Sequence, residues 1–476
     1  MAQNRPIPNV LAARYASSEM QHLWSPENKV VLERRLWVAV LEAQKELGVP
    51  VPDAALEAYR GAIERVDLES IQAREERTRH DVKARIEEFC ELAGHELIHR
   101  GMTSRDLTEN VEQLQVKAAL RLVAFKAMAA LGRLSELCAR FADTPIAGRS
   151  HNVAAQVTTL GKRFANYGEE LLVSTRVLMT LIDEYPLRGL KGPVGTQQDQ
   201  LDVLGDAAKV AELERRVAGH LGFARVLTNV GQVYPRSLDF QVISTLRQLA
   251  SGPSNLAKSL RLMAGHELVS EGFAEGQVGS SAMPHKMNAR SCERINGFTA
   301  ILTGHLSMVT ALAGDQWNEG DVSCSVVRRV ALPDAFFAID GLFETLLHVL
   351  SDFTAFPASI AQELSRYLPF LGVTKLLMAA VKAGLGRERA HALIQGHAIA
   401  VADDLRNGRA RDNDLIPRLG ADPNLPLSTA ELTRLLGSPL ELVGAATEQV
   451  QAFVAEVEAL LERHPDAARY TPGRML

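Results

Sequence analysis

The stretch Thr103–Phe141, TSRDLTENVEQLQVKAALRLVAFKAMAALGRLSELCARF, decides the fold. Its opening, Thr103-Ser104-Arg105-Asp106, resembles a capping box, with a threonine three residues before an acid. Leu107, Val111, Leu114, Ala118, Leu122 and Phe125 then recur in steps of four and three, the spacing of one helix face. No proline interrupts the stretch, and no glycine does until Gly132. The pattern predicts one helix of roughly 38 residues, about 57 Å long at 1.5 Å per residue. Ordinary helices average about 11–12 residues.

Further long patterns follow outward from it, at Leu160–Tyr185, Asp206–Leu221, Leu238–Glu271, Arg290–Trp317 and Ser325–Phe353. Gly252-Pro253 is expected to kink or break the third of these, and Pro333 the last. Strand signals are scarce. Such helices side by side form a bundle with crossing angles near about 20°. Upstream, Ser25-Pro26 reads as a cap followed by proline at the first turn. Helical patterns run from there to about Glu46 and again from Leu56 to Leu92. After Phe356-Pro357 the helices shorten, punctuated by Gly384, Gly386, Gly408, Gly420, Pro423, Pro426 and Pro439. The expectation is an all-α chain of three helical domains: residues 1–102, a central long-helix bundle over 103–355, and residues 356–476.

Composition bounds the function. The chain has 476 residues, 46% hydrophobic and 23% charged, ordinary values for a soluble protein. A net charge of −5 gives no general attraction to nucleic acid or to an anionic membrane. Met1–Leu11 holds two prolines and no apolar segment, unlike a signal peptide. No stretch approaches the run of about 18 apolar residues that spans a bilayer. Cys90, Cys138, Cys292 and Cys324 stand alone, which suggests neither a disulfide framework nor a thiolate zinc site. A cytoplasmic location fits.

The chemistry gathers in one loop, Gly276–Asn288, GQVGSSAMPHKMN. Gly272, Gly276 and Gly279 loosen the backbone, and Pro284 fixes one φ and removes a donor. Ser280, Ser281, Lys286 and Asn288 are crowded together. The whole connection has about eighteen residues without periodicity, and such loops are usually functional or disordered. Its Met and Val content argues against a disordered linker. The residues themselves read as an active-site lid with an anion-stabilising lysine. Two serines suggest a nucleophile, but no G-x-S-x-G elbow is present.

Other stretches carry weaker signals. Gly148–Thr159 is a polar connection holding His151, a natural general acid or base near neutral pH. Arg14-Tyr15-Ala16-Ser17 could cradle an anion near a helix entrance. Arg79-His80-Asp81 lies inside a helical pattern. His95-Glu96-Leu97-Ile98-His99 matches H-E-x-x-H, which on a helix aims two histidines at zinc. Arg100-Gly101 follows at once and should end that helix. A zinc hydrolase using His95 and His99 is the rival chemistry.

Taken jointly, the motifs carry a resemblance. Gly279–Asn288 resembles the signature loop G-S-S-x-M-P-x-K-x-N of the aspartase/fumarase superfamily. Several further features resemble the branch acting on succinylated purine nucleotides. They are Ala282 within the loop, Arg14–Ser17, Arg79–Asp81, His151 with Gln156, Thr158, Thr159, Gly161, Lys162 and Arg163, and Gly231–Tyr234 with Arg236. The similarity runs from Arg14 to beyond Asp412-Asn413-Asp414-Leu415-Ile416.

The resemblance implies a β-elimination in purine biosynthesis. Fumarate would leave adenylosuccinate to give AMP, and leave the succinylated carboxamide ribotide of the earlier step. Another fumarate-releasing lyase of the superfamily is the alternative. Ser280 would be the base and His151 the general acid. Lys286 and Asn288 would bind the carboxylate that accumulates charge. Glu293 would orient His151, and His80 would assist near the leaving group. Arg14, Tyr15, Arg79, Asp81, Thr103, Ser104, Gln232, Arg294, Ser325 and Arg329 match positions that hold the nucleotide and the succinyl carboxylates. No cofactor and no metal are implied. A homotetramer is implied, with the bundle as its core and each site drawing on three subunits. A catalytically silent scaffold is a third class, against which Ser280, Lys286 and His151 stand. The chain also departs from the pattern. Ala289 replaces the usual Pro, Val153-Ala154 replaces a frequent Gln-Pro, and Gly320 stands where animal-type enzymes carry a phosphate-binding arginine.

Overall fold

The computed structural model describes residues 7–272, 283 and 285–473. It is all-α apart from two short antiparallel pairs of strands. The chain opens with α1 (Val10–Tyr15), α2 (Ser18–Leu23), α3 (Pro26–Glu46), α4 (Asp53–Ala62), α5 (Leu68–Thr78) and α6 (Asp81–Ala93). Ser25 caps α3 as expected, accepting from the Asn28 N–H at 3.1 Å. The pattern over Leu56–Leu92 is three helices, not one. Asp67 caps α5 by accepting from the Ser70 N–H at 2.9 Å. Arg79 then turns the chain at φ 54° and His80 caps α6. Arg79-His80-Asp81 is therefore a helix junction, not a helix interior.

The long helix is present as α7 (Ser104–Arg140). The Thr103 N–H donates to the Asp106 carboxylate at 2.9 Å. The other Asp106 oxygen accepts from Arg188 at 2.6 Å and from the N–H groups of Lys191 and Gly192 at 2.8 and 3.0 Å. One buried carboxylate thus caps α7 and pins the 188–192 segment to it. A buried carboxylate is tolerable only with partners of this kind.

After α7 come β1 (Pro145–Ser150), β2 (Val153–Thr159), α8 (Leu160–Glu184), α9 (Gln198–Leu204) and α10 (Ala207–His220). They lead into α11 (Ser237–Leu249), α12 (Ser251–Gly265) and β3 (Val269–Ser270). Gly252-Pro253 breaks the expected long helix, and α11 and α12 part at Ala250. Pro253 sits in the first turn of α12, where its missing N–H costs nothing. A Cβ on Gly252 would lie 3.0 Å from the Tyr167 carbonyl oxygen and the Leu171 nitrogen of α8. Its absence lets the two backbones approach. The helical pattern stops at Gly265, earlier than Glu271, because Val269 and Ser270 pair with β4 (Thr354–Ala355).

The bundle is completed by α13 (Arg290–Leu312) and α14 (Ser325–Asp352). Pro333 does not break α14. An interior proline costs about 3 kcal/mol, but Leu332, Ala335, Phe336 and Phe337 are all buried around it. That packing keeps the helix continuous. The remaining helices are α15 (Pro357–Leu371), α16 (Val373–Lys382), α17 (Arg387–Arg406), α18 (Leu415–Gly420), α19 (Thr429–Leu436), α20 (Ala446–Leu461) and α21 (Pro465–Ala468).

Three apolar cores dominate. The largest joins α7, α8, α11, α12, α13 and α14, and also takes Val450, Phe453, Val457 and Leu460 of α20. Gly168 of α8 makes room for the Phe453 ring, which would lie 2.3 Å from a Cβ there. A second core joins α3, α4 and α6 to the start of α7 and to Leu190, Leu204, Leu213 and Val217. A third lies among α16–α19.

Two stretches, Arg290–Leu312 and Pro357–Lys382, are long and apolar enough on average to cross a membrane. Neither is a continuous apolar run. The first interleaves Asn296, Thr299, Thr303, His305, Ser307 and Thr310, and the second is interrupted by Pro369 and Gly372. In the most apolar part of each, 33% and 28% of the residues are buried, and Ile301 and Met378 are exposed.

Candidate active site

The expected site residues fall into separate groups. His151 sits on the turn of a hairpin, where the sequence pattern predicts only a polar connection. Strands β1 and β2 pair antiparallel, with Ser150 opposite Val153. His151 and Asn152 form the two-residue turn at φ 52° and 61°. Such turns demand positive φ at both positions, which Asn tolerates best after Gly. Arg149 ties the turn down, donating to the Asn152 carbonyl at 3.1 Å and pairing with Glu363 of α15. His151 is exposed. No hydrogen bond or ion pair among the described residues joins it to Glu293 or Lys286.

The second group is the end of the glycine-rich loop. Ser280, Ser281 and Pro284 lie outside the described residues. Both flanks are fixed. Gly272 has φ +87°, and a Cβ there would lie 2.3 Å from the Asp352 side chain. The Glu271 carboxylate accepts from the N–H groups of Ser291 and Cys292 at 2.8 and 2.9 Å. It satisfies the open end of α13 and complements the helix dipole. Lys286, Asn288 and Glu293 line a cavity of about 970 Å³ with Lys258, Arg261 and His285. Arg261 approaches Glu293 to 3.9 Å and donates to Asn296 at 3.0 Å. Asn152 lines a neighbouring cavity, and Leu262 borders both.

The third group brings Tyr15 and Arg294 together. The Arg294 guanidinium lies 5.5 Å from the Tyr15 ring centre, and Phe298 meets that ring edge-on at 5.2 Å. Arg14 is exposed at the end of α1.

The fourth group is the α5–α6 junction. His80 Nδ1 accepts from the Lys83 N–H at 3.2 Å. Asp81 pairs with Arg85 at 2.8 Å, and Arg85 also lies 2.9 Å from the fully buried Glu33. Burial pushes Glu33 above the usual carboxylate range. Burial opposes ionisation of Asp81 too, but Arg85 prevails and holds it below its ordinary value. Thr103 and Ser104 open α7.

The fifth group is Gln232, Ser325 and Arg329. The Gln232 N–H donates to the Glu319 carbonyl at 2.7 Å. A Cβ on Gly231 would lie 2.1 Å from that same oxygen. Gly320 has φ +109°, and a Cβ there would meet Val233 at 2.7 Å, so an arginine fits poorly at this position. Ser325 and Arg329 lie one turn apart on α14, hence on one face. Arg14 and Arg329 make no ion pair among the described residues.

Beneath this group lies a buried network that the sequence pattern does not predict. Arg328 pairs with Asp239 at 2.7 Å and Glu112 at 2.6 Å, and donates to the Tyr234 hydroxyl. Arg236 pairs with Glu109 at 2.9 Å. Burial would discharge Arg328, but Glu112, Tyr234, Asp239 and Glu109 outweigh it and hold it charged. Its partners lie 89 to 216 residues away in sequence, so only the mixture of acids and arginines on long helices could have hinted at it.

The H-E-x-x-H match is not a zinc site. His95–His99 is not helical, and His99 has φ 64°. The His99 Nδ1 accepts from the Trp37 indole at 3.0 Å, and burial lowers its pKa. The described residues contain no group of three or more His, Cys, Asp or Glu placed to hold a metal.

The family model for lyases matches residues 11–304. The fold is shared with 3-carboxy-cis,cis-muconate lactonizing enzyme from Pseudomonas putida, at TM-score 0.81 and 22% identity, covering 95% of this chain and 99% of that one. It is shared also with a fumarate lyase from Mesorhizobium sp. BNC1, at TM-score 0.79 and 20% identity, covering 94% and 100%. A second family model, for the adenylosuccinate lyase C-terminus, matches residues 369–453. Adenylosuccinate lyases of Saccharomyces cerevisiae and Schizosaccharomyces pombe are each 35% identical over 93% of this chain and 93% of their own length. That of Pyrococcus abyssi is 30% identical over 94% of this chain and 98% of its own. The chain belongs to the adenylosuccinate lyase family and is an enzyme of the lyase class.

Proposed function

We propose that this chain releases fumarate from adenylosuccinate, giving AMP, and from the succinylated carboxamide ribotide of purine biosynthesis. The observation that carries the reading is 35% identity over 93% of the chain to the adenylosuccinate lyase of Saccharomyces cerevisiae, together with the intact signature Gly279–Asn288.

The residue roles follow from what the reaction demands. A weakly acidic C–H beside a carboxylate must lose its proton, and Ser280 is the base by its place in the signature. Charge then spreads onto that carboxylate and needs fixed donors. Lys286 and Asn288 supply them, in a cavity that Lys258 and Arg261 make still more cationic. His151 protonates the departing nitrogen, oriented by Glu293, with His80 assisting. Arg14, Tyr15, Arg79, Asp81, Thr103, Ser104, Gln232, Arg294, Ser325 and Arg329 hold the rest of the substrate. With glycine at 320, Arg14 and Arg329 supply the charge-assisted donors that the phosphate requires.

The working unit in this reading is a cytoplasmic homotetramer with shared sites. Support comes from the lack of contact between His151 and Glu293 within one chain and from exposed apolar side chains on the bundle helices, Val173 and Val177 of α8, Ile301 of α13 and Val326 and Val330 of α14. The organisation into segments 1–102, 103–355 and 356–476 is part of the same proposal.

The test is direct. Purified protein is given adenylosuccinate, and purine absorbance and fumarate are followed together. Stoichiometric AMP and fumarate support the reading. No turnover of either succinylated purine, by protein that is folded and assembled, overturns it.

A further inference from the structure

A buried ionic cluster lies outside every group described above. Lys126, midway along α7, and Asp340 on α14 are both fully buried, and Glu344, one turn further, is nearly so. Lys126 pairs with Asp340, and with Glu344 at 2.8 Å. Its ammonium also donates to the Ser17 hydroxyl at 2.9 Å. The Ser17 N–H donates to the second Asp340 oxygen at 2.6 Å. Ser17 is thus gripped at its backbone and at its side chain. A buried triad of this kind adds little net stability over apolar packing, and fixing one geometry is the better reason to keep it.

The chain's last described segment closes the cluster from the other side. The Tyr470 hydroxyl donates to Glu344, and the Gly473 N–H donates to its second oxygen at 2.8 Å. Burial and the adjoining Glu344 push the Tyr470 phenol far above its ordinary range, so it stays a donor. Arg133 holds the Tyr470 carbonyl at 2.8 Å, and His348 meets the Gly473 carbonyl at 2.8 Å. The segment and Arg14–Ser17 face one another across a cavity of about 360 Å³.

We propose that Lys126, Glu344 and Tyr470 are positioning residues for the Arg14–Tyr15 stretch, so that the C-terminal segment sets the nucleotide-binding end of the site. One ammonium faces two carboxylates here. The Tyr470 and Gly473 donors reach both Glu344 oxygens, so Glu344 is not held by Lys126 alone and the ammonium is shared with Asp340 and Ser17. Without these donors Glu344 draws Lys126 more strongly toward itself, and Ser17 loosens. Tyr15 lies two residues upstream of Ser17, seated against Gly341, where a Cβ would come within 2.9 Å of the Tyr15 Cβ. The proposal rests on the reading of Arg14 and Tyr15 as nucleotide-binding residues.

The experiment compares Tyr470→Phe, Lys126→Met and Arg14→Gln in the full chain, using adenylosuccinate. Tyr470→Phe removes one hydroxyl and keeps the ring. It should raise KM roughly tenfold, the worth of one hydrogen bond to a charged group. Its kcat should stay within about twofold, because the reacting atoms are untouched. Lys126→Met should raise KM further if it folds, as judged by circular dichroism. An unchanged KM in Tyr470→Phe overturns the proposal, as does a fall in kcat at constant KM. Arg14→Gln separates the two levels. If it raises KM and Tyr470→Phe does not, the positioning role alone is wrong. If it leaves KM unchanged, the assignment of the stretch falls and takes the proposal with it.

Discussion

The guanidinium of Arg294 lies 5.5 Å from the centre of the Tyr15 ring. The two residues are 279 positions apart, and α1 must run beside α13 and α14 for them to meet. The contact gives each side chain a defined orientation. A planar cation on an aromatic face is worth about 0.5–2 kcal/mol, and lysine does not reproduce it. Arg294→Lys and Tyr15→Leu should each raise KM for adenylosuccinate. The double variant should fall short of the sum by about 0.5–1 kcal/mol. Full additivity would mean that the two act independently.

The Trp37–His99 pair makes stability depend on pH. The His99 Nδ1 accepts the indole N–H at 3.0 Å, which requires that nitrogen to be unprotonated. Burial lowers the folded pKa of His99, whereas the unfolded chain protonates it near about pH 6.5. Below that pH the unfolded state binds the proton first, so stability falls with pH until the folded pKa is passed. His99→Asn keeps an acceptor and tolerates the positive φ but does not titrate. Between pH 7.5 and 5.5, the wild-type denaturation midpoint should drop more than that of His99→Asn. Parallel slopes would remove His99 as the cause.

These two pairs show what a sequence can and cannot reveal. The helix at 103–141 was legible because its apolar residues recur at helical spacing and a capping threonine marks its start. The turn at His151-Asn152 was not, because β1 and β2 are short and their inward residues, Ile146, Ala147, Val157 and Thr159, give little alternation. The α5–α6 junction was hidden because Arg79 takes a left-handed conformation without being glycine. H-E-x-x-H misled because spacing has meaning only on a helix, and Gly94 ends α6 before it begins. The return of α20 to the bundle and the acids around Arg328 depend on partners far along the chain, which local pattern does not encode. The candidate site residues came from the motif resemblance. Elementary chemistry alone reached an anion-binding lysine on a loop.

Gly231 offers a test of the backbone crossing that carries Gln232. A Cβ there would lie 2.1 Å from the Glu319 carbonyl oxygen, which already accepts from the Gln232 N–H. Gly231→Ala must push the two segments apart. The expected cost is about 1–3 kcal/mol, as for other overpacked positions, with a raised KM as Gln232 moves. Gly219 is the control, since it lies in α10 and a methyl added there would meet nothing within 4 Å. Gly219→Ala should be neutral or slightly stabilising, as alanine is the better helix former. The thermal midpoints and KM values of the two variants decide it.

A decisive experiment tells whether the two proposed proton-transfer residues, His151 and Ser280, act from one chain or from two. His151→Ala and Ser280→Ala should each lower kcat by about 10²–10⁴, the usual worth of general acid or base catalysis, with helicity unchanged. Neither His151 nor Glu293 contacts the other within one chain, although Leu262 borders both of the neighbouring cavities. If one subunit supplies His151 and another Ser280, mixing the two inactive proteins, dissociating them and reassembling them restores intact sites. In a random tetramer roughly a quarter of the sites would carry neither substitution, and activity should recover to about that fraction. If both residues act from one chain, every site in every hybrid still carries one substitution. Hybrid tetramers confirmed by mass, with no recovered activity, would assign the whole proton-transfer pair to a single subunit.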